Sequence, residues 1–515
     1  MSTTPPAAPA VLAPVEKPKL VRGLSSLDAT MIVIGSMIGS GIFLVSAESS
    51  KLVGAPGWLL VAWALGGVLT ITGALSCAEL AAMMPRAGGQ YVFLREAYGP
   101  SIGFLFGWAL FLVVQTGTIA AVAVAFANFT GVLIPSIAPD NYLIAPRTLG
   151  GGYAIGLSTN QVIAILMILV LTATNLSGLK TGKIIQNAFT FTKTAALAGL
   201  IIVGLTLGWK VGMHNGSAAF ASSWWHPLRN GWHPDASQLG FQALGKGTLA
   251  LALLMLLGRA MSGPLFAQSA WNNVTFTGGE VENPGRNLPR SLLIGCGVVV
   301  GLYLLANLAY VVTLPLSAIQ GAPQGRVGTA AMEAIFGPTG TIIMAIAIMI
   351  STFGCNNRLI LAGARVYYAM ARDNVFFKRV GTVNSKHVPA VALIAQGIWS
   401  AFLTLPRTVT ADAKTGKAVY GNVYTQLIEY LTSADLIFYG LMVAAVIVLR
   451  KKAANVERPY RTFGYPIVPV IYITIALLFV LDLGYLAPRT SGIGYLLVLT
   501  GIPAYLIWKK QAKAT

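Results

Sequence analysis

Apolar residues in this chain come in long runs, and the runs recur from one end to the other. Twelve segments stand out, near 26–50, 57–84, 99–134, 160–178, 184–208, 240–278, 289–314, 337–371, 389–405, 424–450, 466–485 and 492–508. A helix of about 20 apolar residues crosses the hydrocarbon core of a bilayer, so most of these predict single spans. The first, third, sixth and eighth are longer, which leaves room for tilt, helical extensions or breaks. Charge is scarce: Asp, Glu, Lys and Arg make up 10% of the 515 residues, against about 25% in a soluble domain. A hydrophobic share of 55% also excludes disorder over most of the length. The expected class is an all-α membrane protein with twelve transmembrane helices.

The chain carries 35 Lys and Arg against 16 Asp and Glu. Such an excess points either to an anionic partner such as nucleic acid or to basic cytoplasmic loops. Placing the bases on the twelve-span topology decides between them. Twenty-two fall on the side of the N-terminus, ten on the other side, and three (Lys193, Arg259 and Arg358) inside apolar segments. The bias predicts cytoplasmic N- and C-termini in a cell (plasma or inner) membrane and removes the need for a nucleic-acid partner. Residues 1–24, rich in Pro and Ala, predict a disordered cytoplasmic tail without the pattern of a cleavable signal.

Enzyme and cofactor signatures are missing. The four histidines, His214, His226, His233 and His387, form no zinc spacing, and no HExxH or GxSxG occurs. Cys77, Cys296 and Cys355 lie in apolar runs without CxxC spacing, so buried thiols are expected rather than a metal site. Gly240 to Lys246 matches GxxxxGK, but Gly247 follows where Ser or Thr is required, so a loop leading into a helix is expected. No cofactor and no metal are expected. A membrane-embedded enzyme would need a catalytic cluster of His, Asp or Cys at one membrane face, and a channel would need a filter motif.

Two segments carry signs of interruption. The first holds Gly39-Ser40-Gly41 near its middle, poor helix formers at membrane depth. Gly35 and Gly39 also form a GxxxG, so close packing and a chain break both remain open. The sixth holds Pro264, followed by polar Gln268, Ser269, Asn272 and Asn273. A kinked helix with a packed polar face is the plainer reading there. These segments take matching places if five-segment halves repeat, and interrupted helices at matching places point to a transporter site. Free N–H groups at such a break suit a carboxylate, and free carbonyls suit an ammonium group. An amino acid offers both.

Four stretches, in this order, carry a family resemblance. They are Gly35-Ser36-Met37-Ile38-Gly39-Ser40-Gly41-Ile42-Phe43; Glu79-Leu80 through Pro85-Arg86-Ala87-Gly88-Gly89-Gln90-Tyr91 to Gly99; Trp271-Asn272-Asn273 through Gly279-Glu280-Val281 to Arg290; and Arg458-Pro459-Tyr460-Arg461 with Gly464-Tyr465-Pro466. On these the chain resembles the amino acid–polyamine–organocation transporter superfamily, and within it the L-type amino acid transporter group and its bacterial homologues. The resemblance implies a leucine-transporter-type fold: two inverted five-helix repeats, 25–208 and 240–450, joined by an extracellular loop at 209–239. Two extra helices follow within 451–515, and helices 1 and 6 are broken. It implies sodium-independent amino acid transport by alternating access, with exchange (antiport) first and proton symport second.

The resemblance also assigns roles. Backbone N–H groups of Gly39, Ser40 and Gly41 take the substrate carboxylate. Carbonyls of Met37, Ile38, Phe266, Ala267 and Ser269 meet its amine, and the Phe266 ring gates the site. Lys193 braces the broken first segment where sodium-coupled members bind an ion. From the sequence alone, Lys193 lies about nine residues, roughly 13 Å, into its segment, too deep for easy snorkelling. A central lysine costs roughly 2.5–3.5 kcal/mol on insertion scales, which argues for function. Burial also lowers a lysine pKa, which keeps proton coupling open.

Gln115, Thr116, Gln268, Asn272, Asn356 and Asn357 are candidates for lining the cavity, with ordinary helix packing as the alternative. Glu429, Asp435 and Asp482 are candidate proton carriers, or simply hydrated groups near helix ends. Glu280 and Glu282 predict an ion-pair cluster with Arg286, or a gate contact. Arg259, Arg358 and Pro264 depart from the family pattern of small or apolar residues. Arg259 is a candidate outer gate or a snorkelling side chain, and Arg358 puts charge beside the cavity. No outer-loop cysteine is present, so no disulfide-linked partner is expected. The expected partners are an amino acid and the lipid bilayer.

Overall fold

The computed structural model describes residues 23–85, 88–176, 182–236, 239–241, 245–384, 388–411 and 418–514. All of the N-terminal tail but Gly23 and Leu24 lies outside them, as do Arg86, Lys180, Lys386, His387, Lys414 and Lys417.

Helices dominate. In the N-terminal part they are α1 (Ser26–Met37), α2 (Gly41–Val53), α3 (Pro56–Met83), α4 (Gln90–Tyr98), α5 (Pro100–Ala109), α6 (Gln115–Leu133), α7 (Thr159–Leu176) and α8 (Gly182–Asn215). A π-turn, Leu110–Val114, joins α5 to α6. There follow α9 (Lys246–Ala260), α10 (Ser262–Ala267), α11 (Asn273–Phe276), α12 (Pro284–Thr313), α13 (Leu316–Gln320), α14 (Val327–Phe336), α15 (Pro338–Arg372), α16 (Ala390–Leu403), α17 (Val423–Lys452), α18 (Ile467–Leu486), α19 (Ser491–Leu499) and α20 (Gly501–Ala514). Among the described residues ten helical spans are long and apolar enough to cross a membrane, and the bent pair α1–α2 makes an eleventh. The ninth expected segment forms α16, a shorter apolar helix of 14 residues.

Local chemistry sets the ends. A capping box opens α1: Ser25 Oγ accepts from Asp28 N at 3.2 Å, and the Asp28 carboxylate accepts from Ser25 N at 3.0 Å. Gly54, at φ 65°, closes α2 in the left-handed conformation. Proline occupies the first turn of α3, α5, α12 and α15, where a missing N–H costs nothing. Asn422 caps α17, whose last turn carries Arg450, Lys451 and Lys452 against the negative end of the helix dipole.

The interior is built around large side chains such as Trp63, Trp271, Tyr303, Tyr310 and Tyr367. α12 packs along α3, α1 and α8; α6 packs on α15 and α7; α17 packs on α18. The rim is apolar too: Leu477, Leu478 and Leu481 of α18 are each at least 57% exposed. Exposed leucines on a span suit lipid, which demands no polar cover.

One element departs from the all-α expectation. β1 (Tyr142–Gly150), β2 (Tyr153–Ser158), β3 (Pro406–Ala411) and β4 (Ala418–Tyr420) form an antiparallel sheet in the order β1-β2-β3-β4. It joins the connection after α6 to the connection after α16. The first hairpin turns on consecutive glycines, Gly150, Gly151 and Gly152, all at positive φ. The sheet escaped the sequence reading because its strands are short and one of its three pairings is between loops about 250 residues apart.

Candidate functional site

The α1 helix stops at Met37. Ile38 is extended (ψ 98°), Gly39 and Ser40 follow, and α2 leaves at 42° to α1. Break and close packing, the two open readings, coexist. A Cβ on Gly41 would stand 2.6 Å from Ala267 Cβ, and one on Gly35 would collide with the Arg358 guanidinium. Only glycine fits either place.

A broken helix at membrane depth leaves carbonyls without partners, and each must find a donor. Here side chains from three other helices supply them. The Lys193 ammonium, from α8 and 1% exposed, donates to Ile38 O at 2.7 Å and also to Gly35 O. Tyr303 Oη donates to Met37 O at 2.9 Å, and the Cys355 thiol to Ser36 O at 3.5 Å. Arg358 of α15 donates to Met31 O at 2.6 Å and to the Thr190 hydroxyl. Lys193 and Arg358 therefore both grip α1 from one side. The carbonyls of Met37 and Ile38, assigned to the substrate amine by resemblance, each already hold one protein donor.

The second interruption follows α10. The Pro264 ring leaves Ala260 O without its helical donor, and the Ser49 hydroxyl takes that place at 2.8 Å. The chain unwinds after Ala267, with Ala270 at φ 65°, before α11 begins at Asn273. Ser269 turns back, its N–H and hydroxyl donating to Phe266 O at 3.1 and 2.8 Å. Trp271 stacks on Tyr439 with centroids 5.0 Å apart. Asn272 accepts from Tyr439 Oη at 3.1 Å and donates to Gln90 Oε1 at 2.6 Å.

The two breaks face each other across a narrow cavity. Met37, Gly39, Ser40 and Gly41 line one side, and Phe266, Ala267 and Ser269 the other. Its cover is aromatic. Phe266 meets Tyr424 edge to face at 6.1 Å, and Tyr424 Oη shares a hydrogen bond of 3.0 Å with Ser40 Oγ. Beyond that cover a wider vestibule holds Arg259. Arg259 pairs with Glu429 at 3.0 Å, and the Thr490 hydroxyl donates to the same carboxylate at 2.6 Å.

Gln268 lines a neighbouring cavity instead. Gln115, Thr116, Asn356 and Asn357 are not brought to either one. Gln115 donates to Leu359 O at 2.6 Å, Thr116 to Phe111 O at 2.7 Å across the π-turn, and Asn356 to Ile119 O at 3.2 Å. Asn357 accepts from Asn175 at 2.7 Å. These groups cross-link α6, α7 and α15.

At the opposite end from the vestibule the chain is tied shut. Gly23 and Leu24 both donate to Glu280 O at 3.0 Å, and Glu282 N donates to Leu24 O at 2.9 Å. Glu280 pairs with Arg365 at 3.2 Å and not with the expected Arg286, because α15 brings its arginine closer than the helix that follows Glu280. Arg95 pairs with Asp373, which also accepts from Tyr91 Oη at 2.8 Å. Burial, and then that carboxylate, push the Tyr91 hydroxyl above its usual range. Glu79 holds both Arg450 (2.7 Å) and Arg458 (3.4 Å).

Sequence reasoning missed Tyr303, Tyr310, Tyr424 and Cys355. A tyrosine inside an apolar span is the usable signal, since its hydroxyl must find a polar partner there.

Sequence comparison finds relatives along nearly the whole chain. Over 503 residues the chain is 28% identical to the large neutral amino acids transporter small subunit 2 of Mus musculus, covering 96% of this chain and 83% of that one. It is 29% identical to the serine/threonine exchanger SteT of Bacillus subtilis over 496 residues, 96% of this chain and 98% of that one. Asc-type amino acid transporter 1 of Homo sapiens is 26% identical over 507 residues, 97% and 85% of the two chains. The family model described as amino acid permease matches residues 24–507, and with nearly the whole chain inside that match, the protein belongs to the amino acid permease family.

Proposed function

We propose that this protein is a sodium-independent amino acid exchanger that works by alternating access. Its twelve helices form two inverted five-helix repeats, 25–208 and 240–450, followed by two further helices, with both termini cytoplasmic. The carboxylate sits on the N–H groups at Gly39, Ser40 and Gly41, and the amine meets carbonyls of the two breaks. Phe266 covers the substrate, and Arg259 with Glu429 guards the vestibule. What carries the reading is Lys193. Its ammonium occupies the carbonyls of Gly35 and Ile38 that an unwound helix would otherwise offer to a metal cation. A resident charge at that place makes a bound sodium ion redundant. The names of two relatives, a serine/threonine exchanger and a large neutral amino acids transporter, support amino acids as cargo and exchange as mode.

Proton symport is the second reading. It is favoured by Asp482 of α18, one of whose carboxyl oxygens is buried without a hydrogen-bond partner among the described residues. Counterflow in proteoliposomes separates the two. Exchange requires an amino acid inside, is indifferent to sodium, and survives collapse of the pH gradient. Uptake into empty vesicles driven by a pH gradient would establish symport, and strict sodium dependence would remove the role given to Lys193.

A further inference from the structure

A second, narrow cavity adjoins the one between the breaks, and Phe266 and Ser269 line both. Its far wall is polar. Asp435 of α17 faces it and is 7% exposed, and among the described residues no cation pairs with its carboxylate. The Tyr439 hydroxyl, on the same helix one turn away, lies within reach of that carboxylate and donates to Asn272. Gln268 Oε1 and Thr432 Oγ1 line the same cavity, and both are buried without a hydrogen-bond partner among the described residues. The Gln268 amide is not free to reverse, because its NH₂ is engaged by Trp63 O at 3.2 Å. An orphan amide oxygen, an unpartnered hydroxyl and a carboxylate thus line one cavity with no cation among them. A buried carboxylate is costly unless a cation or several donors meet it. The ligand that fits is positively charged and rich in N–H groups.

We infer that this cavity receives the side chain of the transported amino acid, and that the side chain is cationic, an ammonium or guanidinium held by Asp435, Gln268 and Thr432. The inference rests on the substrate placement proposed above. With carboxylate and amine at the α1–α2 break, a side chain passing Phe266 and Ser269 enters this space. A neutral aliphatic side chain would bring no cation to the Asp435 carboxylate and no donor to Gln268 Oε1.

Lysine and norleucine test this, since they differ only in the terminal amine. Full-length protein in proteoliposomes is assayed for counterflow, and each amino acid is titrated as competitor. Lysine is expected to compete at a concentration at least about tenfold below norleucine, a difference of about 1.4 kcal/mol. Asp435→Asn is expected to weaken lysine competition by about tenfold relative to norleucine, and Asp435→Glu to keep part of the preference. Thermal shift of the purified proteins checks that the variants fold: lysine should raise the Tm of the unmodified protein but not of Asp435→Asn, whereas norleucine should act equally on both. Norleucine competing as well as lysine in the unmodified protein would overturn the inference and leave amino acid exchange standing. So would an Asp435→Asn variant that keeps its lysine preference. Absence of exchange with any amino acid would instead overturn the proposed function, and this inference with it.

Discussion

The Lys193 ammonium lies 2.7 Å from Ile38 O, at the point where α1 comes apart. Two carbonyls of one helix depend on this side chain from another. Lys193→Met leaves both without a donor, each charged hydrogen bond being worth roughly 1.5–3 kcal/mol. Counterflow should fall by about tenfold or more, and the Tm of the purified protein should drop. A variant with unchanged rate and Tm would show that the break needs no brace.

Gly41 and Ala267 form a matched pair. The Cβ of Gly41→Ala would sit 2.6 Å from that of Ala267 and must push the two breaks apart. Overpacking of this kind costs about 1–3 kcal/mol. Transport should fall at least about fivefold and return in part when Ala267→Gly is added. The double variant is the measurement that matters, since no recovery would mean the two positions do not touch in the working protein.

Tyr424 and Phe266 cover the site together but in different ways. Tyr424→Phe removes the hydrogen bond to Ser40 and keeps the ring contact, so a loss of about 1 kcal/mol is expected, seen as a few-fold rise in KM. Phe266→Ala removes the wall shared by both cavities, and transport should be lost while the protein still folds. Equal effects from the two variants would contradict a cover built mainly from the ring.

Arg259 and Glu429 should act as a unit. Arg259→Val strands the Glu429 carboxylate with only Thr490 as partner, so it should alter competition profiles more than Arg259→Val with Glu429→Gln. Additive losses in the double variant would place the arginine outside the gate. For Arg358→Gly a different result is expected, a lower Tm, because Arg358 ties Met31 O and the Thr190 hydroxyl together.

The long spans were legible because lipid imposes a simple rule on twenty consecutive residues. The first break was legible in Gly39-Ser40-Gly41, although the same letters served equally as a packing motif, and the fold uses them for both. Lys193 stood out because a lysine at that depth needs a partner, but the sequence did not name Gly35 as one of its acceptors. Partners across helices were hidden for the same reason throughout. Nothing local separates Gln115, whose amide reaches Leu359, from Gln268, which faces a cavity. Glu280 illustrates the limit: Arg286 is six residues away in sequence, yet Arg365 supplies the ion pair.

The small sheet has a mechanical consequence. β1 and β2 belong to the connection after α6, and β3 and β4 to the connection after α16, so Tyr153, Ala154 and Ile155 are stitched to Thr408, Arg407 and Pro406. If the two proposed repeats tilt against each other, that seam must either travel as one stiff clasp or tear its backbone ladder. A transporter built this way has its freedom of motion rationed at the rim as well as at the broken helices.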